Sequence, residues 1–320
     1  TPLFGQSLAR QVAQVMAASA PNVLEVGAGS GALAADMLIA LEAMGASPQC
    51  YEILELSGEL RARQADTLHR CVPHLADRVR WLDALPEKFT GCIVANEVLD
   101  VMPVQLVTWR ADGIFERGVG IDGAGGFTWV ERPATGLLLQ TAQALPIKIT
   151  DGNANAYTSE ICLAAHAWVS EWSHRLTHGA MLLIDYGYPQ AEYYLSQRAS
   201  GTVQCYYRHR AHPDLLSWPG LNDITAFVDF TAVAEAAHEA GLSVLGYITQ
   251  ANFLHNCGLL ELLAQREPSD SADYLRAARA VHRLTGPHEM GELFKVLAIG
   301  RGALPEPLLG FMRGDRLFAL

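Results

Sequence analysis

Lysine is nearly missing from this chain of 320 residues: Lys88, Lys148 and Lys295 are the only ones. Basic residues number 23 against 34 acidic ones, for a formal net charge of -11. So acidic a chain lacks the positive footprint that a nucleic-acid backbone requires, which argues against nucleic acid as a partner. The dominance of arginine over lysine points to a GC-rich bacterial genome. Long hydrophobic runs are also missing. Half of the residues are hydrophobic, enough for a sizeable core, yet no stretch nears the roughly 20 unbroken apolar residues of a membrane span. Membrane insertion is therefore not expected. Paired cysteines are absent too. Cys50, Cys71, Cys92, Cys162, Cys205 and Cys257 are scattered, with no C-x-x-C among them, and read as reduced thiols of a cytosolic-type compartment. Signal-peptide features are lacking. The opening TPLFGQSLARQVAQVM reads as the interior of a longer protein, so a preceding segment is expected to be missing.

What is present begins with a rhythm. Leu8 to Ala18 has helical apolar spacing. NVLEV (22–26), CYEILEL (50–56), RVRWL (78–82) and GCIVAN (91–96) read as strands, and ALAADMLIALEAM (32–44) and residues 58–72 as helices, with Ser57 as an N-cap. Strands this apolar, alternating with helices, indicate a parallel sheet covered on both sides. From residue 104 the pattern alternates around DG and GAGG, as antiparallel hairpins do. A helix is expected over 159–176, ending at Gly179, then a fifth strand at 180–187. Residues 188–230 form a long irregular stretch, expected to be a lid or substrate loop. A helix (231–242), a sixth strand (243–248), a helical stretch and a seventh strand (293–301) follow. Seven strands with a late one added at the end suit the class I methyltransferase sheet better than the two halves of a dinucleotide dehydrogenase.

The glycine turn in NVLEVGAGSGALAADML satisfies a loose G-x-G-x-x-G/A pattern at Gly27, Ala28, Gly29 and Gly31. Glycine lets the backbone bend and a ligand approach closely, and the helix that follows favours an anionic group at its N-terminus. That group is a pyrophosphate in a dehydrogenase and the methionine carboxylate in an S-adenosylmethionine (SAM) enzyme. Three acids tilt the choice. Glu25 stands two residues before Gly27, where a carboxylate suits an ammonium or sulfonium better than phosphates. Glu55, at the end of the second strand, is placed to accept ribose hydroxyls. Asp83, at the end of the third, could accept an adenine amino group. Each of the three could instead be a cap or a solvated loop residue. Beyond the fourth strand, ANEVLDVMPV gathers Asn96, Glu97 and Asp100, of which Asp100 could be a helix cap. His209, His212 and Asp214, and the pair His174 and His178, are read as structural rather than metal-binding.

The stretches EVGAGSGALAADML, YEILELSGELRARQ, ANEVLDVMPV, YTSEI, LLIDYGY, GTVQCYYRH, DITAFVDF and MGELFKVLA together resemble the MidA-type SAM-dependent methyltransferases. That family includes the mitochondrial arginine methyltransferase that assists assembly of respiratory complex I. The resemblance runs in order from Pro2 to about Gly302; a glycine-rich segment that precedes PLFG in relatives is absent. It implies a Rossmann-like α/β fold with a seven-stranded, mostly parallel sheet and substrate-side insertions. The cofactor-binding set would be Glu25, Gly27, Ala28, Gly29, Gly31, Glu55, Leu56, Ser57, Asp83 and Asn96. The transfer-site candidates would be Glu97, Asp100, Asp185, Tyr186 and Asp229, with Gly187 in the turn after Tyr186, Thr225 beside Asp229 in the lid, and Glu160 as a further carboxylate. These acids are expected to orient a guanidinium, one accepting a proton as the methyl arrives, with Glu97 and Asp185 favoured.

The expected organisation is a SAM-binding half (1–103), a hairpin insertion (104–158), a helix and fifth strand (159–187), a lid (188–230), the remaining core with a helical insertion at 251–286 (231–302), and a tail (303–320). The expected partner is a protein offering an arginine, such as a respiratory-complex subunit, with a homodimer possible. The location would be bacterial cytoplasm, or mitochondrial matrix in a eukaryote. Methylation of a small molecule or another residue, a non-catalytic assembly factor and an NAD-dependent oxidoreductase are the alternatives.

Overall fold

The computed structural model describes residues 1–148, 156–208, 210–266 and 271–320. In chain order the elements are α1 (Pro2–Ala18), β1 (Asn22–Val26), α2 (Ala32–Ala43), β2 (Cys50–Leu54), α3 (Gly58–Cys71), β3 (Val79–Leu82), β4 (Phe89–Asn96), β5 (Gln105–Arg110), β6 (Gly113–Ile121), β7 (Phe127–Pro133), α4 (Gly136–Ala144), β8 (Tyr157–Ile161), α5 (Leu163–Arg175), β9 (Leu176–Tyr188), α6 (Gln190–Tyr193), β10 (Gln204–Tyr207), β11 (Arg210–His212), β12 (Asp223–Thr225), β13 (Val228–Asp229), α7 (Phe230–Glu239), β14 (Ser243–Thr249), α8 (Gln250–Asn256), α9 (Leu259–Ala264), α10 (Ser271–Thr285), α11 (Met290–Leu293) and β15 (Phe294–Arg301). No helix among the described residues is long and apolar enough to cross a membrane. The chain divides into two compact units: Thr1–Val98, Ser170–Tyr186 and Ala234–Leu320 form unit 1, and Leu99–Val169 with Gly187–Val233 form unit 2.

Unit 1 holds the large sheet, in the order β14-β15-β9-β4-β1-β2-β3. β1, β2, β3, β4 and β9 are mutually parallel, and β15 runs antiparallel to both β9 and β14. This is the seven-strand order of the class I methyltransferase sheet, with its late antiparallel strand inserted beside the fifth. The order reverses direction at β1/β4, and in open α/β sheets a ligand sits beyond the carboxyl ends of the strands at such a switch point. The core runs along the sheet through Val23, Tyr51, Ile53, Cys92, Val94, Leu182, Ile184 and Val296, with Leu8, Val12, Met37 and Leu38 of α1 and α2 packed on it. Central strands buried on both faces explain the unbroken apolar runs in the sequence.

Unit 2 contains the sheet β7-β6-β5-β8 and the small sheet β11-β10-β12. One face of the first buries Val107, Trp109, Tyr157 and Ile161 against Leu138 and Ala142 of α4. The Trp109 indole donates to the Ala142 carbonyl at 3.1 Å. β13 pairs in parallel with Gly187 and Tyr188, the last residues of β9.

Three expectations are corrected. The helix expected over 159–176 begins only at Leu163, because Tyr157–Ile161 forms a strand on β5. Gly179 ends no helix; it lies inside β9, opposite Gly91 of β4. A Cβ at Gly179 would stand 1.8 Å from the Gly91 carbonyl oxygen, so this glycine permits close strand approach rather than a stop. His178, just before it, also lies in the strand rather than at a helix end, and its ring pairs with the Ala303 carbonyl at 3.0 Å. Nor is 188–230 structureless: α6 and β10 to β13 fall within it.

Candidate functional site

The strand-to-helix turn at the end of β1 is built by its glycines. Gly27, Gly29 and Gly31 have φ of 66°, 52° and 79°, in the left-handed region that side-chain-bearing residues avoid. Gly31 is doubly constrained, since a Cβ there would lie 3.0 Å from the Cα of Gln64. Over Gly29 the situation is the opposite: a Cβ would meet nothing within 4 Å. The backbone just before the N-terminus of α2 is therefore open. Ala28 between them is buried and packs into the core.

Gln64, fully buried on α3, ties the turn together. Its amide donates to the Gly29 carbonyl and to Glu55 Oε2, both at 3.1 Å, and accepts from the Trp81 indole at 2.8 Å. Glu55 Oε1 accepts from the Ser57 amide at 2.9 Å. The Glu55 carboxylate is thus fixed beside the glycine turn. Leu56, next to it, is 77% exposed and offers an apolar surface there. Ser57 caps α3 as expected, accepting from the Leu60 amide at 3.3 Å. Asp83 is exposed and forms an ion pair with Arg61 at 2.8 Å, while Arg61 also donates to the Glu55 and Leu82 carbonyls. Arg61 thus links the ends of β2 and β3.

Glu25 is buried inside β1, and the Tyr51 hydroxyl donates to it at 2.6 Å. Burial pushes its carboxyl up from 4.5 to about 7, and the tyrosine hydrogen bond offsets only part of that rise. Burial and the neighbouring Glu25 push the Tyr51 phenol well up as well. Glu25 therefore sits beneath the turn as a carboxylate short of compensating charge.

The end of β4 makes the second part of the unit 1 site. Asn96 ends the strand, and its amide reaches Glu97 Oε1 at 3.4 Å. Glu97 adopts φ 53°, rare for a residue with a side chain. The turn is clamped by β9: the Glu97 amide donates to the Ile184 carbonyl at 2.9 Å and the Val98 amide to Asp185 Oδ2 at 3.1 Å. Asp185 Oδ1 accepts from the Tyr186 amide at 2.9 Å. Asp185 is buried, and Lys295, also buried, lies directly opposite it on β15. Tyr186 packs on Phe294, ring centroids 5.4 Å apart.

The remaining candidates lie in unit 2. Asp100 is 5% exposed and its carbonyl accepts from the Ala226 amide at 2.9 Å. Asp229 Oδ1 accepts from the Ala232 amide at 3.2 Å at the start of α7. Glu160 is buried and fully engaged by structure. It accepts from the Thr202 and Val203 amides at 2.6 and 2.8 Å, and from the hydroxyls of Ser159, Tyr193 and Thr202. Its oxygens are engaged in holding residues 202–203. His209 lies outside the described residues; His212 pairs with the Asn222 carboxamide oxygen at 3.3 Å, and Asp214 accepts from the Leu216 amide at 3.1 Å and from the Ser217 hydroxyl.

Sequence reasoning missed Tyr51, Gln64 and Lys295. Only Lys295 left a trace, as one of three lysines and the sole charge within the apolar run LFKVLAIG.

With this geometry in place, comparison with known proteins is decisive. Residues 7–248 match a family model described as "Putative S-adenosyl-L-methionine-dependent methyltransferase". The chain belongs to this family. Two solved structures from Burkholderia thailandensis, both of one superfamily, cover all of it. One, of an uncharacterized protein, is 51% identical with TM-score 0.94 over 84% of its own length. The other, solved with S-adenosyl-homocysteine bound, is 50% identical with TM-score 0.94 over 81% of its length. Among curated relatives, the mitochondrial protein arginine methyltransferase NDUFAF7 of rat is 28% identical over 87% of this chain, and that of zebrafish 26% over 88%. The chain spans 66% of the rat relative's length and 69% of the zebrafish one's.

The residues present fit the cofactor that the family description specifies. Open backbone over Gly29 at a helix N-terminus accommodates a carboxylate, the fixed Glu55 can accept from ribose hydroxyls, and the undercompensated Glu25 carboxylate favours a nearby cation. These features suit SAM, a cation at sulfur, and are unfavourable to a pyrophosphate.

Proposed function

We propose that the chain is a SAM-dependent methyltransferase acting on an arginine side chain of a partner protein. The observation that carries the cofactor is the full-length likeness, at 50% identity, to a structure holding S-adenosyl-homocysteine. The arginine substrate rests on the curated relatives' names and on the carboxylates that end the strands of unit 1. SAM, when bound, supplies a methyl group on positively charged sulfur. Every other demand falls on this chain: alignment and charge placement. Gly27, Ala28, Gly29 and Gly31 would take the amino-acid end, Glu55 with Leu56 and Ser57 the ribose, Asp83 the base, and Glu25 and Asn96 the charge balance of the pocket.

Glu97 is the residue proposed to meet the guanidinium. A carboxylate beside a planar, always protonated guanidinium localises its charge and can take a proton as a nitrogen is methylated. The strained Glu97 backbone is the observation that favours it, since such conformations persist where the surroundings enforce them and cluster at functional sites. Asp185, with each oxygen on a backbone amide, suits positioning of the Glu97 turn. Tyr186 is proposed to wall the site, and Asp100 and Asp229 to serve on the substrate side. The partner would be a respiratory-complex subunit or a similar protein, and the location the cytoplasm of a bacterium.

The test separates binding from transfer. Glu97→Gln should hold S-adenosyl-homocysteine within about twofold of the parent by calorimetry, and lose transfer by about 100-fold or more. Unchanged turnover would remove Glu97 from the reaction.

A further inference from the structure

From Phe294 to Gly300, β15 carries one residue that is neither apolar nor glycine, and that residue is Lys295. It is 4% exposed, in a strand flanked by β14 and β9. Taking an ammonium out of water is costly, and an apolar side chain of similar volume serves packing as well or better. The end of α11 accounts for part of its presence. Lys295 Nζ donates to the Glu292 carbonyl and, at 3.2 Å, to the Leu293 carbonyl. Carbonyls at a helix end favour a cation, but they are neutral acceptors and leave its charge unbalanced by a full negative one. The Glu292 carboxylate is engaged by Arg316 at 3.3 Å.

A full negative charge stands across the sheet. Lys295 is the register partner of Asp185 on β9, which is 1% exposed. Directly opposed residues of an antiparallel pair project to the same face, with Cβ atoms about 4.5–5.5 Å apart. Each charge supplies what the burial of the other demands. Asp185 in turn holds backbone: Oδ2 accepts from the Val98 amide at 3.1 Å and Oδ1 from the Tyr186 amide at 2.9 Å. Val98 directly follows Glu97, whose φ is 53° and whose amide donates to the Ile184 carbonyl of β9 at 2.9 Å. Such a backbone persists only where its surroundings over-determine it. The link therefore runs from Lys295 through Asp185 to the Glu97 turn, over the three adjacent strands β15, β9 and β4 of unit 1. We infer that Lys295 is a positioning residue: its ammonium, set against the buried Asp185 carboxylate, fixes the turn that carries Glu97. The positioning stands on the geometry of unit 1, and its consequence for methyl transfer rests on the function proposed above.

Amide hydrogen exchange of the full chain with S-adenosyl-homocysteine reads the turn without any methyl acceptor. Lys295→Met removes the charge and every donor, whereas Lys295→Gln removes the charge and keeps an N–H donor for the α11 carbonyls. Both should speed exchange at the Glu97 and Val98 amides by about tenfold or more, with the amides of β1 and β2 exchanging as in the parent. Lys295→Arg restores a cation and should bring exchange at the turn back to within about threefold of the parent. Asp185→Asn should speed the same two amides. Combined with Lys295→Gln, it should be no faster than the faster single variant, because the two residues act through one link. Parent-like exchange at Glu97 and Val98 in Lys295→Gln overturns the positioning, and so does a double variant whose effect is the product of the two singles. Should Lys295→Met not fold, the Gln and Arg variants still decide. Turnover of an arginine peptide with SAM reads the consequence: kcat should fall about tenfold in Lys295→Gln, with the peptide KM within about twofold, and recover in Lys295→Arg. Faster exchange with unchanged kcat overturns Glu97 as the group that meets the guanidinium, while the positioning stands.

Discussion

Glu25 in unit 1 and Glu160 in unit 2 are each 2% exposed, and their surroundings differ. Glu160 accepts from two backbone amides and three hydroxyls. Glu25 accepts from one phenol, Tyr51, and burial lifts its carboxyl to about 7. The number of donors supplied to a buried carboxylate decides whether it fastens the fold or stays under electrostatic tension. Glu160 fastens the segment after α6. Glu25, near the glycine turn, has one donor only among the described residues, and under the function proposed above the cofactor's positive charge would meet it.

The contrast can be broken from either side. The largest effect is expected from Glu160→Ala, which strands the Thr202 and Val203 amides and the hydroxyls that converge on it. A loss of about 3–5 kcal/mol of local stability is expected, read as faster amide exchange at residues 201–203, with S-adenosyl-homocysteine binding to unit 1 retained. Protection that stays intact would mean the carboxylate is replaceable.

Glu25 comes next. Its folded value lies above the unfolded one, so its contribution to stability is complete below about pH 4.5 and is lost as pH rises through about 7. The swing amounts to about 3 kcal/mol at most. Thermal melts of the cofactor-free chain should therefore fall in midpoint from pH 5 to pH 8, and Glu25→Gln should flatten that slope. Equal slopes in parent and variant would show that Glu25 is compensated after all.

Two smaller tests bear on the turn itself. Gly31→Ala forces a side chain into left-handed backbone against Gln64 and should cost about 1–3 kcal/mol, seen as weaker S-adenosyl-homocysteine binding. Gln64→Leu removes the links to Gly29 and Glu55 and should weaken that binding by about five- to tenfold, near 1 kcal/mol.

The same contrast explains what could be read in the sequence. Unit 1 was legible because its strands are continuous apolar runs separated by helices, and its strand-to-helix turn is a local pattern of glycines. Ser57 and the cap it makes were equally local. Unit 2 was less so. Glu160 reads in the sequence as one more carboxylate for a guanidinium, and its structural engagement shows only through the long-range arrival of Thr202 and Val203. The strand at Tyr157–Ile161 was merged with the helix after it, since five residues of alternation precede thirteen of helix with one residue between. Gly179 carries the same letter as a helix stop, and the Gly91 backbone that gives it its reason is far away in sequence. Gln64, Tyr51 and Lys295 were missed for that same cause: a polar residue on an element declares itself only through its distant partner.

The most direct test of the account is mass spectrometry of an arginine-bearing protein or peptide incubated with the full chain and isotope-labelled SAM. The expected result is a labelled methyl group on a guanidinium nitrogen, formed together with S-adenosyl-homocysteine and dependent on Glu97. Label appearing on another side chain or on a small molecule, or no transfer from SAM to any acceptor, would contradict it.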